Sequence, residues 1–322
     1  MSELTMAEAV NQALRDEMHR DDRIIVLGEE VGALGGLFGV TEGLLQEFGD
    51  RRVIDTLAAE GGLVGTAVGL ALYGLRPVAE IQFVDFVWSG FEQLVSEMAK
   101  LRYRSAGQYS CPVVLRVPYG AGVGGGMYQS QSPEAHFCHI PGITVVAPAD
   151  GADAAGLLRS ALRGEDPVVF LEPKRLYREG RTHVSDEVVP LGSARLRREG
   201  TDVTLVAYGS TVPAALEAAE LAAARGIQAD VLDLRTLVPL DIAALLRSIS
   251  KTGRAVLVSE APRTGGYAGE LAATLAERAM LHLEAPVERV TGFDTPVPYA
   301  HEDKYLPDAD RITAAIERVA NF

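Results

Sequence analysis

Short apolar runs of strand length alternate along this chain with longer stretches whose apolar positions recur every three or four residues. In the first half the strand-like runs are 23–27, 52–56, 77–83, 113–117, 144–147 and 168–171. Between them lie helical patterns over 5–19, 41–48, 63–73, 86–103 and 150–162. Thr5 and Glu8 have the spacing of a capping box, and Gly49 suits a helix C-terminus. Around 172–198 the regularity lapses into charged, Pro- and Gly-containing sequence. The alternation then restarts, with strands at 203–207, 228–234, 255–259 and 287–290 and helices at 212–224, 240–250, 268–280 and 311–320. Strands separated by helices of this length predict parallel sheets covered on both faces. The fold class is therefore α/β, with two doubly wound domains in tandem: 1–185, a linker at 186–200, and 201–322.

Composition agrees with this and removes several functions. A chain of 322 residues, 48% of them hydrophobic, can bury two cores. Its formal net charge of −14 repels phosphate backbones, and no Lys/Arg cluster offsets it, so nucleic acid is not an expected partner. The apolar stretches are interrupted by glycine and too short to span a bilayer, and the N-terminus has no signal-peptide pattern. The two cysteines, Cys111 and Cys138, match no common ligand spacing and read as buried thiols of a cytoplasmic protein.

Two glycine patterns invite interpretation. Gly120, Gly122 and Gly125 satisfy a G-x-G-x-x-G spacing, but they lead into MYQSQSPEA with Pro133 nearby, rather than into an apolar helix. That context argues against a dinucleotide site and for a flexible loop whose backbone can approach a ligand or a neighbouring subunit. Gly61, Gly65 and Gly69 recur every fourth residue, a smooth helical stripe that fits tight packing either within one domain or against a partner.

Several segments in order carry a resemblance: VLGEEVGALGGLFGVTEGL (26–45), AEIQFVDF (79–86), KLRYRSAGQ (100–108), YQSQSPEAHFCHIPG (128–142), FLEPKRLYR (170–178), DLRTLVPLD (233–241), SEAPRTGGYAGE (259–270) and VTGFDTPVPYA (290–300). Over essentially the whole chain the sequence resembles the β subunit of the decarboxylase component of 2-oxo acid dehydrogenase complexes. The SQSPEA and FLEPKRLYR segments lean toward the branched-chain (2-oxoisovalerate) type over the pyruvate and acetoin types. The resemblance implies a thiamine-diphosphate-binding fold of the transketolase pyrimidine type followed by a transketolase C-terminal-type domain that serves assembly and docking. It also implies an α2β2 heterotetramer and a lipoyl-bearing dihydrolipoyl acyltransferase core as partners. The α subunit would hold the diphosphate and its magnesium through a Gly-Asp-Gly motif, which this chain lacks. This chain would supply the aminopyrimidine side.

By the same resemblance Glu60 is the carboxyl that hydrogen-bonds the pyrimidine ring nitrogen and promotes the imino tautomer, the base that activates the cofactor. Its small, uncharged neighbours suit a carboxyl that shares a proton with the ring; position alone favours an ordinary Glu at a helix N-terminus, and the collinear resemblance reverses that. Glu29, Ala58 and Ala59 would contact the cofactor or organise its pocket. Gln82 would lie near the aminopyrimidine, and Phe86 would pack against it. Phe83, Val84, Asp85 and Phe86 would shape the acyl-substrate pocket. Gln129 departs from the pattern, because the family has a proton-handling His before the SQ pair. Gln can hydrogen-bond but cannot exchange a proton near neutrality, and losing such help typically costs ~10²–10⁴ in rate. A compensating His (His136 or His139), a slow enzyme, a different acyl acceptor and a scaffolding subunit without catalysis are the alternatives. Ala58 stands where the family has a larger aliphatic residue. Some members also bind a structural potassium ion through backbone near Val113, Ala161, Gly164 and Asp166, and Val114 replaces a hydroxyl found there.

Overall fold

The computed structural model describes residues 2–322, and the chain folds as two units. One comprises the chain up to Tyr119 together with His136–Leu191; the other comprises Gly120–Ala135 together with Gly192–Phe322. The segment 120–135 thus belongs to the second unit although chain of the first flanks it on both sides.

The first unit is built on parallel strands β1 (Ile24–Gly28), β2 (Val53–Asp55), β3 (Arg76–Glu80), β4 (Val114–Tyr119), β5 (Thr144–Val146) and β6 (Val168–Pro173). Their spatial order is β5-β6-β4-β3-β1-β2. Apart from β2 and the start of β5 these strands are buried at every position, the signature of a sheet covered on both faces. The helix Met6–Arg20 opens with the expected capping box between Thr5 and Glu8. It packs on Gly151–Arg163, where Arg163 grips Glu17 through two bonds of 2.6 and 3.0 Å.

Two helices differ from expectation. The second begins only at Leu44, because Thr41 is buried with its hydroxyl donating to the Val31 carbonyl at 2.6 Å. The stretch 86–103 is not one helix. It is a 3₁₀ segment (Val84–Ser89), a short α turn (Phe91–Gln93), a π turn (Leu94–Met98) and a last α turn (Leu101–Arg104). The break falls at Gly90, where a Cβ would lie 2.9 Å from the Glu60 carbonyl oxygen, so the chain there is shaped by the approach of the helix Glu60–Leu72.

The second unit has strands β7 (Arg195–Arg198), β8 (Val203–Ala207), β9 (Ala229–Asp233), β10 (Ala255–Pro262) and β11 (Glu288–Gly292), in the order β11-β10-β8-β9-β7. All neighbours are parallel except β7, which pairs antiparallel with β9. Strand β7 lies in the expected linker. Its sequence RLRR hid it, since arginines on an exposed edge strand break the apolar pattern while guarding the edge. Asp150, Asp241 and Asp308 cap the helices Gly151–Arg163, Ile242–Thr252 and Ala309–Ala320, each accepting a backbone N–H. Among the described residues no helix is long and apolar enough to cross a membrane.

Candidate functional site

Parallel strands gather functional groups at their carboxyl ends, and here three neighbouring strands do so. Gly28 of β1 pairs with Asp55 of β2 on one side and with Glu80 of β3 on the other. The residues that follow, Glu29, Thr56–Ala59 and Gln82, therefore emerge along one edge of the first unit. Gln82 Nε2 donates to the Glu29 carbonyl at 3.1 Å and to Glu80 Oε1 at 3.1 Å. Leu57, Ala58 and Ala59 are exposed and lead directly into Glu60, the first residue of its helix.

Glu60 is half-buried, and its Oε2 accepts from Ser89 Oγ at 2.5 Å. Two glycines make that pairing feasible. A Cβ on Gly61 would lie 2.9 Å from the Ser89 carbonyl, and Gly90 leaves equal room for the Glu60 carbonyl. The helical glycine stripe is thereby divided: Gly61 serves packing within the unit, whereas Gly69 has open space around it. Ser89 ends the 3₁₀ segment that presents Phe86, whose side chain is 40% exposed. Phe83 is half-buried beneath the ammonium of Lys174, 4.6 Å from its ring. Asp85 is half-buried, but Val84 is fully buried, so its side chain fills the core and not a pocket.

Glu29, Ala58, Ala59, Glu60, Gln82 and Phe86 thus share one unit and one edge of its sheet. Gln129 lies in the other unit, exposed in the loop 120–135, after the 3₁₀ turn Gly126–Tyr128. That loop is held, not loose. The backbone N–H of Ala121 and the hydroxyls of Ser132 and Ser210 donate to the buried carboxylate of Glu260, and Gly124 N–H and Ser130 Oγ donate to Glu302 at 2.8 and 3.0 Å. His136 is exposed, with its ring edge-on to Trp88 at 5.1 Å, and His139 is exposed as well.

Sequence reading missed the groups behind the edge. Arg116, fully buried in β4, donates to Glu172 through Nε and Nη2, both at 2.7 Å, and to Glu80 through Nη1. Tyr177 donates to Glu172 from the other side. Burial and the Glu172 charge hold the Tyr177 hydroxyl well above its usual range, so it stays a donor. Single charged residues inside apolar runs (PVAEIQF, VVLRVPY, VVFLEPK) were the available signal.

The donor set tests which groups the chain can hold. A carboxyl at a helix start, a carboxamide and a half-exposed aromatic ring suit a flat heterocycle with ring nitrogens, such as an aminopyrimidine. At the potassium position each of the oxygens named already has a partner. The Gly164 carbonyl accepts from Arg76, whose Nε also donates to Leu162 O at 2.9 Å and Nη1 to Glu165 at 2.9 Å. The Val113 carbonyl accepts from Val168 N–H at 2.9 Å, that of Ala161 accepts from Gly164 N–H at 3.1 Å, and the Asp166 side chain pairs with Arg102. Of these groups, the Gly164 carbonyl is thus already engaged by a guanidinium. Among the described residues no group of three or more His, Cys, Asp or Glu could hold a metal. Burial pushes the Cys111 thiol up to about 12, consistent with an inert core residue.

Comparison with known proteins accords with this geometry. The model of the transketolase pyrimidine binding domain matches residues 2–180, and that of the transketolase C-terminal domain matches 192–312. The chain is 46% identical to the 2-oxoisovalerate dehydrogenase subunit β of Bacillus subtilis, covering 100% of both proteins. It is 48% identical to the pyruvate dehydrogenase E1 component subunit β of Leifsonia xyli, over 98% of this chain and 94% of that one. Among solved structures, a split-gene transketolase described as an inactive β4 tetramer superposes with a TM-score of 0.81 at 27% identity, covering 99% of each chain. A transketolase of Pichia stipitis shares the fold, with a TM-score of 0.73 at 15% identity over 100% of this chain and 46% of that one. With both transketolase-type domains matched in order and full-length relatives at this identity, the chain belongs to the family of E1 β subunits of 2-oxo acid dehydrogenases.

Proposed function

We propose that this chain is the β half of a thiamine-diphosphate-dependent 2-oxo acid dehydrogenase that acts on branched-chain 2-oxo acids and passes the acyl group to a lipoyl arm. The observation that carries the reading is Glu60, a half-buried carboxyl at a helix start with one oxygen held by Ser89. When bound, thiamine diphosphate supplies the nucleophile that adds to the 2-oxo carbon and the electron sink for loss of carbon dioxide. Glu60 would hold a proton against the pyrimidine ring nitrogen, with its Oε2 fixed by Ser89. Phe86 offers a face for the ring, and Gln82 orients it from the side of β3. Phe83, Phe86 and the Asp85 backbone border the acyl group. The diphosphate and magnesium belong to an α subunit in an α2β2 assembly, and the C-terminal unit serves assembly and docking to an acyltransferase core.

The branched-chain assignment rests on the SQSPEA and FLEPKRLYR segments and on the 2-oxoisovalerate relative. A second reading, a pyruvate-type subunit, is favoured by the pyruvate dehydrogenase relative at similar identity. Co-expression with candidate α subunits, followed by assay with pyruvate and branched-chain 2-oxo acids, separates the two. In that assembly Glu60→Gln is expected to lower decarboxylation by about 10²-fold or more while leaving assembly intact. Unchanged decarboxylation by the variant would remove Glu60 from the mechanism. An active variant-free assembly would also dismiss a purely scaffolding role, which Gln129 otherwise supports.

A further inference from the structure

Gln82 is the one carboxamide on the β3 edge whose orientation is dictated from behind. Its two amide hydrogens face two oxygens, the Glu29 backbone carbonyl and Glu80 Oε1, both at 3.1 Å. A backbone carbonyl has no proton to donate, and the Glu80 carboxylate is already engaged through Oε2 by the Arg116 guanidinium. Turning the amide over would set its oxygen against two acceptors and forfeit both hydrogen bonds. The nitrogen therefore faces inward, and the carbonyl oxygen is what Gln82 can offer to a ligand.

Glu80 is itself immovable. Its side chain is buried at the end of β3, opposite Arg116 of β4 in register. Arg116 in turn is locked by the two-pronged contact with Glu172, which Tyr177 also holds. All four side chains are out of contact with solvent. A network this enclosed has few alternative arrangements, since any rotation leaves a buried charge unpaired.

We propose that Glu80, anchored by Arg116, is a positioning residue that fixes Gln82 as a hydrogen-bond acceptor, so that the site selects a pyrimidine carrying an exocyclic amino group. The inference rests on the cofactor reading above. It explains why a carboxylate and a guanidinium are sequestered in the sheet directly behind a ligand-facing amide. It also assigns the amide a polarity, because a 4-amino group donates to an acceptor, whereas a 4-oxo group at the same place would meet it oxygen to oxygen.

The test is binding of thiamine diphosphate and its 4-oxo analogue, oxythiamine diphosphate, to the assembled α/β protein by calorimetry. The wild-type assembly is expected to prefer the amino ligand by about 10-fold or more. In Glu80→Gln the new amide keeps its oxygen on Arg116 and turns its NH₂ toward Gln82, which then meets a donor on one side and the Glu29 carbonyl on the other and loses its fixed polarity. The preference is expected to collapse, and Glu80→Asp, which keeps the charge, to restore part of it. Gln82→Met, at a half-buried position outside the charge network, is expected to lose the preference with the fold intact. Should Glu80→Gln fail to assemble, side-chain amide exchange of Gln82 in the wild-type chain, assigned with Gln82→Met, reads the same point. Protected amide protons support the inward nitrogen, and fast exchange overturns it. If thiamine diphosphate binds but the variants discriminate as the wild type does, the role of Glu80 is wrong and the cofactor reading stands. If neither ligand binds the wild-type assembly, the cofactor reading itself falls and takes this inference with it.

Discussion

Gln129 and Glu60 make contrasting cases. Glu60 is tied to a hydroxyl and seated at a helix start, so its carboxyl has a defined direction. Gln129 is exposed on a glycine-rich loop, where the family resemblance places a histidine. An imidazole there could exchange a proton near neutral pH, and a carboxamide cannot. Gln129→His in the α/β assembly is therefore expected to raise acyl transfer to a lipoyl acceptor by about 10-fold or more, within the range of general acid–base help. Decarboxylation with an artificial electron acceptor should change less. Equal rates in both assays for variant and wild type would show that a proton is not exchanged at this position.

The elements that carry these side chains are shaped by buried charge as much as by apolar pattern. Near its end the loop 120–135 carries Glu134, fully buried, with Oε1 accepting from Tyr208 at 2.5 Å and Ser259 at 3.3 Å, while Oε2 has no hydrogen-bond partner among the described residues. Burial, helped by the nearby Glu260 charge, pushes its carboxyl up from 4.5 to about 7. The folded chain then holds a proton that the unfolded chain releases. Stability from this group is full below about pH 4.5, is lost as pH rises toward about 7, and changes no further above that. The loss is about 3 kcal/mol at most, at about 1.36 kcal/mol per unit. Urea unfolding between pH 5 and 8 is expected to show this decline in the wild type and a flatter profile in Glu134→Gln. Parallel slopes in the two proteins would mean that Glu134 stays charged.

Across the first unit, Arg76 joins β3 to the end of the helix Gly151–Arg163 and supplies the positive charge that C-terminal carbonyls attract. Melting temperature is therefore expected to be the same in potassium and in choline at equal ionic strength. Arg76→Ala is expected to cost about 2 kcal/mol, because it strands the Leu162 and Gly164 carbonyls and removes the Glu165 contact. A potassium-specific rise in the wild type would show that an ion is bound in spite of the guanidinium.

Much of this was legible in the linear sequence, for physical reasons. Strand and helix periodicity records which faces are buried, so the α/β alternation could be read from 24 to 320 with ends shifted by a few residues. Capping boxes and Asp caps are local, as at Thr5 and Asp241, and sequence alone suffices to find the first. The candidate residues Glu29, Glu60, Gln82 and Phe86 could be named from motif order. What the sequence left open depends on contacts between distant segments. Gly90 breaks the 86–103 helix because Glu60, 30 positions earlier, packs against it. Val84 is core, although Phe83 and Asp85 on either side of it are only half-buried. Arg195–Arg198 is a strand because β9 offers it an edge. The orientation of Gln82 follows from Glu80, Arg116, Glu172 and Tyr177, four residues spread over 98 positions that three neighbouring strands and the turn after the last of them bring together. Periodicity reports burial one segment at a time, and pairing across the sheet is what the fold adds.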